Sequence, residues 1–165
     1  DPLGTGLDDL RAKRLRTPLD PSATFHDDPL RMLRAVRFRW KLDFEPAAGL
    51  YDAIRTEAHR LKIISGERIR DELIKLFAPP TASRAARGLE LLRETGLLEH
   101  VLPEIAATIT CEQSPDFHPE GTVFTHLCLM LKQLPPGAPP SGIVAVTSPF
   151  AATTPSTATG TSKPK

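Results

Sequence analysis

Little in this chain points to covalent, metal or membrane chemistry. Its 165 residues include only two cysteines, Cys111 and Cys128. Their spacing suits neither a disulfide framework nor a zinc site, and it fits a reducing, cytoplasmic compartment. No apolar run is long enough to cross a bilayer, and no signal-peptide pattern opens the chain. The net charge is only +1, so no whole-molecule field draws nucleic acid towards it. A phosphate-cradling P-loop, a nucleophile elbow and a zinc knuckle are all missing, and no fixed-period repeat announces a solenoid.

What is present is unevenly distributed. Arg11, Lys13, Arg14, Arg16, Arg31, Arg34, Arg37, Arg39 and Lys41 crowd the first quarter. A local basic surface of this kind fits phosphate binding, and it equally fits a solvated helix face. The chain opens on Asp1 rather than methionine, and after Leu134 its composition shifts to Pro, Ser, Thr, Ala and Gly. We expect a piece of a longer protein. Residues 135–165 have little to bury and are expected to be disordered, with Ile143-Val144-Ala145-Val146 as their one apolar run.

The body reads as mainly α. Asp1 to Leu19 is expected to be a loop, broken by Gly4 and Gly6, followed by an extended segment at Leu15-Arg16-Thr17-Pro18-Leu19. From Pro21 onward the pattern is helical. A first helix is expected over about Asp28–Lys41, capped by Asp27 or Asp28, with Pro29 in its first turn and Leu33, Val36 and Trp40 as its apolar stripe. Further helices are expected over about Pro46–His59 (Leu50, Ile54, Ala58 inward), Gly66–Phe77 (Ile69, Leu73, Leu76) and Thr81–Thr95 (Ala85, Leu89, Leu92). Ser65 offers a cap for the second of these, Pro79-Pro80 ends it, and Gly96 stops the third. A short apolar segment, Leu97–Ile105, is interrupted by Pro103, and a last helix covers about Gly121–Leu134 with Val123, Phe124, Leu127 and Leu131.

Three constellations carry possible chemistry. Asp28 and Arg31 lie three apart and project from nearly one side of a helix. A carboxylate accepts and a guanidinium donates, so the pair matches the edge of a nucleotide base. Spacing alone favours a surface i,i+3 salt bridge, usually worth under about 1 kcal/mol. Arg34 and Arg37 extend the row. The second constellation is Glu67-Arg68-Ile69-Arg70-Asp71-Glu72-Leu73, either a charged outer face or the source of an ion pair bracing the first helix. The third is His118-Pro119-Glu120-Gly121 with His126, which has too few ligands for a metal site on its own.

Taken in order, these segments resemble the bacterial-type (class II) tRNA nucleotidyltransferase and poly(A) polymerase family. The run Asp1-Pro2-Leu3-Gly4-Thr5-Gly6-Leu7-Asp8-Asp9-Leu10 is similar to its D-P-x-G-G-x-x-D-L loop, with extra spacing at Thr5-Gly6. The run Asp27-Asp28-Pro29-Leu30-Arg31-Met32-Leu33-Arg34-Ala35-Val36-Arg37-Phe38 is similar to its E-D-P-x-R-x-x-R-A-x-R-F, with Asp27 in place of Glu. The Glu67–Leu73 run matches its E-R-I-x-x-E-L. Leu97 to Glu104 resembles the helix end that follows, and His118 to His126 the start of an HD-type domain.

The resemblance implies a nucleotidyltransferase that adds CCA to tRNA 3′ ends from CTP and ATP. Asp28, Arg31, Arg34 and Arg37 would bind the nucleotide, with Asp27, Glu67, Arg68 and Glu72 in support. Residues 1–20 would end an α/β head domain, 21–110 would form the helical neck and body, 111–134 would begin the HD-like region, and 135–165 would be the tail. Mg²⁺ would be held by carboxylates of the head, before Asp1, so no catalytic or metal residue is assigned within this chain and the piece alone is expected to be inactive. Poly(A) synthesis by the same family, a non-catalytic helical RNA-binding module and an HD-type phosphohydrolase piece are the alternatives.

Overall fold

Proline placement divides the first half of the molecule into its elements. The computed structural model describes residues 4–77, 82–114, 119 and 121–133, without the side chains of 82–85. Asp20 accepts a hydrogen bond from the Ala23 N–H at 2.9 Å, and Pro21 follows in the first turn, so helix α2 starts there and runs Pro21–Asp27. It is preceded by α1, Gly6–Arg11, and by β1, Arg14–Leu15. Pro29 forces Asp28 out of helical geometry. Asp28 is accordingly extended, at φ −137° and ψ 96°. The chain turns a corner there and restarts as α3, Leu30–Leu42, which ends at a left-handed Asp43. Among the described residues, the corner places Asp28 between two helices, where its carboxylate accepts from the Leu30 N–H at 3.3 Å.

After α3 come β2, Glu45–Pro46, and α4, Leu50–Glu57, which passes into a 3-10 segment at Ala58–Ile63. β1 and β2 form a two-stranded parallel pair with Arg14 opposite Glu45 and Leu15 opposite Pro46. Helix α5 covers Gly66–Phe77 and α6 covers Ala82–Glu94, where Gly96 at φ 73° permits the stop. The short α7, Leu98–Val101, and α8, Pro103–Ala107, precede a 3-10 turn at Thr108–Thr110, and α9 covers Val123–Gln133. The fold is mainly α.

Burial explains the order. Leu33, Val36 and Trp40 are inside, as their spacing predicts, but so are Leu30, Met32 and Ala35. Helix α3 is covered on more than one side because α2 meets it on one flank and α5 and α6 on others. Leu50, Ile54 and Ala58 are buried, as are Leu73, Leu76, Leu89 and Leu92, while Ile69 is half-buried. Phe124, Cys128 and Leu131 of α9 join the same apolar cluster, and α9 lies along α6. Each such large side chain contributes roughly 1.5–3 kcal/mol when removed from water.

Some expectations are corrected. Gly6 opens α1 instead of breaking it; at the first position it loses no ladder hydrogen bond, and Asp8 and Asp9 in the first turn suit the helix dipole. Pro103 likewise starts α8 at a position where its missing N–H costs nothing. The extended segment is shorter than expected and begins at Arg14. The helix expected over Pro46–His59 is α-helical only at Leu50–Glu57, with Gly49 at φ 78° before it. The helix stop at Pro79-Pro80, the Ala85 side chain, His118, Glu120, Leu134 and the tail lie outside the described residues.

Gly88 sits where α6 packs closely on α5. A Cβ placed there would meet Leu76 Cγ at 3.3 Å and Phe77 Cε1 at 3.6 Å, and both side chains are buried. Gly88→Val should therefore overpack the α5–α6 contact and lower stability by about 1–3 kcal/mol, as read by urea denaturation.

Candidate nucleotide- and RNA-handling surface

Three arginines in one helix do not share one face. A step of three residues falls about 60° short of a full turn. Arg31 and Arg37 therefore point roughly 120° apart, with Arg34 between them. Arg37 turns to α5, where its Nε donates to Glu72 Oε2 at 2.9 Å, and only 14% of its side chain is exposed. Arg34 Nε lies 3.5 Å from Glu72 Oε1, and Lys75 Nζ lies 3.3 Å from the same oxygen. Arg31 stays at the outer edge, 3.8 Å from Asp27 and 3.9 Å from Asp28. Asp28 is also approached by Arg68 of α5 at 3.7 Å.

Glu72 is 3% exposed, so its charge needs partners. Burial pushes its carboxyl up, but the hydrogen bond and charge of Arg37, backed by Lys75, outweigh burial and hold it below the ordinary value. The guanidinium of Arg37 also stacks 4.5 Å over the Phe38 ring. Expected at the nucleotide, Arg37 is thus bound into the contact between α3 and α5. Glu67 is exposed in the first turn of α5, where a negative charge suits the helix dipole.

Helix α3 and the segment after β1 border an open groove of about 360 Å³, with Thr24 and Phe25 of α2 and Leu50 of α4 also in its lining. Arg31, Arg34 and Phe38 line one wall, Thr17 and Pro18 the other, and Arg16 joins them. The sequence marks Arg16 only as one of many basic residues; its place here depends on the pairing of β1 with β2, which no local pattern announces. A larger groove of about 830 Å³ continues past Arg16 towards Pro46 and Ala47.

Other candidate chemistry is sparse. Among the described residues, no group of three or more His, Cys, Asp or Glu lies together to hold a metal ion, and His118 and Glu120 are outside them. Burial, aided by the Glu90 charge, pushes the Cys128 thiol up to about 11, so it stays protonated at neutral pH. No described helix is long and apolar enough to cross a membrane.

Comparison with known proteins shows what the chain is similar to. Residues 43–109 match a family model described as "Probable RNA and SrmB- binding site of polymerase A". The chain is 36% identical over 122 residues to poly(A) polymerase I of Haemophilus influenzae, covering 74% of this chain and 26% of that protein. It is 34% identical over 139 residues to the multifunctional CCA protein of Halorhodospira halophila, covering 79% and 31%. With the CCA-adding enzyme of Lactobacillus helveticus it shares 38% identity over 104 residues, covering 63% and 25%. It therefore spans about a quarter to a third of the length of these relatives. The relatives are nucleotidyltransferases. The chain belongs to the class II family of CCA-adding enzymes and poly(A) polymerases.

Removing Glu72 should expose how much the surface depends on it. Glu72→Ala leaves Arg37 without its partner and should cost about 3 kcal/mol in chemical denaturation. The sign of the pH effect follows from the lowered carboxyl. Its contribution is complete above the unfolded value near 4.5 and is lost as pH falls through the lower folded value. Stability of the unaltered chain should therefore fall more steeply below that value than stability of Glu72→Gln.

Proposed function

We propose that this chain supplies nucleotide selection and RNA binding to a tRNA nucleotidyltransferase that adds CCA to tRNA 3′ ends from CTP and ATP. The observation that carries the reading is the Asp28–Arg31 pair, 3.9 Å apart and partly exposed at the start of α3. Leu30 N–H and Arg68 meet one carboxylate oxygen of Asp28, and Arg31 lies nearest the other, so the carboxylate is oriented before a ligand arrives. An acceptor beside a donor complements a base edge, and a good bidentate contact of this kind is worth about 1–3 kcal/mol of discrimination. In this reading Arg34 serves the nucleotide, whereas Arg37, Glu72 and Glu67 support α3 and α5, and Asp27 steadies Arg31.

The proposed organisation places the end of a nucleotidyltransferase head at 1–20, the neck and body at 21–110, the start of an HD-like region at 111–134 and a tail at 135–165. Such transfer uses Mg²⁺ to activate the 3′ hydroxyl and stabilise the leaving group. The described residues do not fit that ion, since no suitable ligand group lies among them, and no step of bond making is assigned to them. In our reading the chain alone does not transfer nucleotides. Poly(A) synthesis is the second reading, favoured by the likeness to a poly(A) polymerase I. Sequencing the product made by the intact enzyme separates a CCA end from a poly(A) tail.

In the intact enzyme, Arg31→Ala and Asp28→Ala should each reduce the preference for CTP and ATP over UTP and GTP by about fivefold or more. Unchanged choice among the four nucleotides in both variants would sink the base-reading role. Incorporation of CMP or AMP into tRNA by the isolated chain would refute its dependence on catalytic residues outside it.

A further inference from the structure

The groove between the segment after β1 and helix α3 has an unusual lining. It gathers Arg16, Arg31 and Arg34, from two separate elements, and no carboxylate lines it among the described residues. Arg31 lies within ion-pair range of Asp27 and Asp28, and Arg34 of Glu72. The acid of Arg16 is Asp9 of α1, whose side chain is 14% exposed; it accepts from Arg16 Nη2 at 3.0 Å and is not part of the lining. That bond uses one of five guanidinium donors. It fixes the plane of the group and leaves its remaining donors for a ligand. The exposed Phe38 ring stands in the same wall, so the groove offers an apolar face beside cationic donors. Its volume of about 360 Å³ lies within the range of small-ligand clefts, roughly 300–1,000 Å³.

We propose that this groove is a phosphate subsite in which Arg16, oriented by Asp9, acts with Arg34 on the phosphate of a nucleotide or of an RNA strand. Planar guanidinium forks match phosphate oxygens two at a time. The subsite rests on the nucleotide-handling reading of α3, but it adds a residue from outside that helix and a different chemical group of the ligand. Asp28 and Arg31 read the base, and Arg16 holds phosphate without regard to the base.

The test is binding by the full chain, with CTP, cytidine and a short single-stranded RNA as probes. Arg16→Ala should weaken CTP or RNA by about tenfold and leave cytidine unchanged. With RNA, loss of one phosphate contact should also flatten the dependence of log affinity on log salt by about 0.7. Arg70→Ala, an exposed charge on α5, should change neither probe by more than about twofold. Weakening of CTP assigns the subsite to the nucleotide, and weakening of RNA alone assigns it to the strand. Should Arg16→Ala fail to fold, Arg16→Lys, which keeps the charge but not the fork, should still weaken binding about threefold or more. No binding of either probe by the unaltered chain, or equal affinities in a folded Arg16 variant, overturns the proposal. Base choice is read separately. An Arg16 effect with unchanged choice in Asp28→Ala and Arg31→Ala sinks only the base-reading role, and the reverse pattern sinks only the phosphate subsite.

Discussion

The contact between α3 and α5 turns on one buried carboxylate. Glu72 has almost no access to water, and a lone charge in that position would be strongly unfavourable. Arg37, Arg34 and Lys75 surround it, and their combined attraction offsets the loss of hydration. An arrangement of this kind contributes less to net stability than to geometry, since an apolar substitute of similar shape would often serve as well. Its value here lies in register: with Arg37 bound to Glu72, α3 has one rotation relative to α5. That rotation decides that Arg31 faces outward.

The corner at Asp28–Pro29 supplies the second constraint. Proline excludes helical geometry from the residue before it, so α2 and α3 cannot merge into one rod. The break leaves Asp28 extended, with its carboxylate at the new helix start and Arg68 within ion-pair range. Two independent elements, the corner and α5, therefore hold the same side chain. In the proposed base-reading role, an acceptor gains from such support because its orientation is settled before binding.

Legibility in the sequence varied with the range of the interaction. The sequence places the helix over Gly66–Phe77 at its observed limits, because its apolar spacing and local caps are short-range signals. Leu33, Val36 and Trp40 were read correctly as inward for the same reason. The burial of Met32 and Ala35 is not legible in the stripe, since a helix enclosed from several sides shows no clean polar face. The start of α1 at Gly6 was missed because glycine is penalised in helix interiors but tolerated at a first position.

By itself the sequence determined a mainly helical body, the order of the charged runs and the family resemblance. All of these depend on residues close together in the chain. Tertiary structure alone decided which neighbours each arginine meets. A row spaced by three winds around the helix, so identical side chains at Arg31, Arg34 and Arg37 meet different neighbours. Glu72 claims Arg37, the groove receives Arg31, and Arg34 borders both. The strand pairing of β1 with β2 then brings Arg16 to the same groove, across a separation in sequence that no local periodicity encodes.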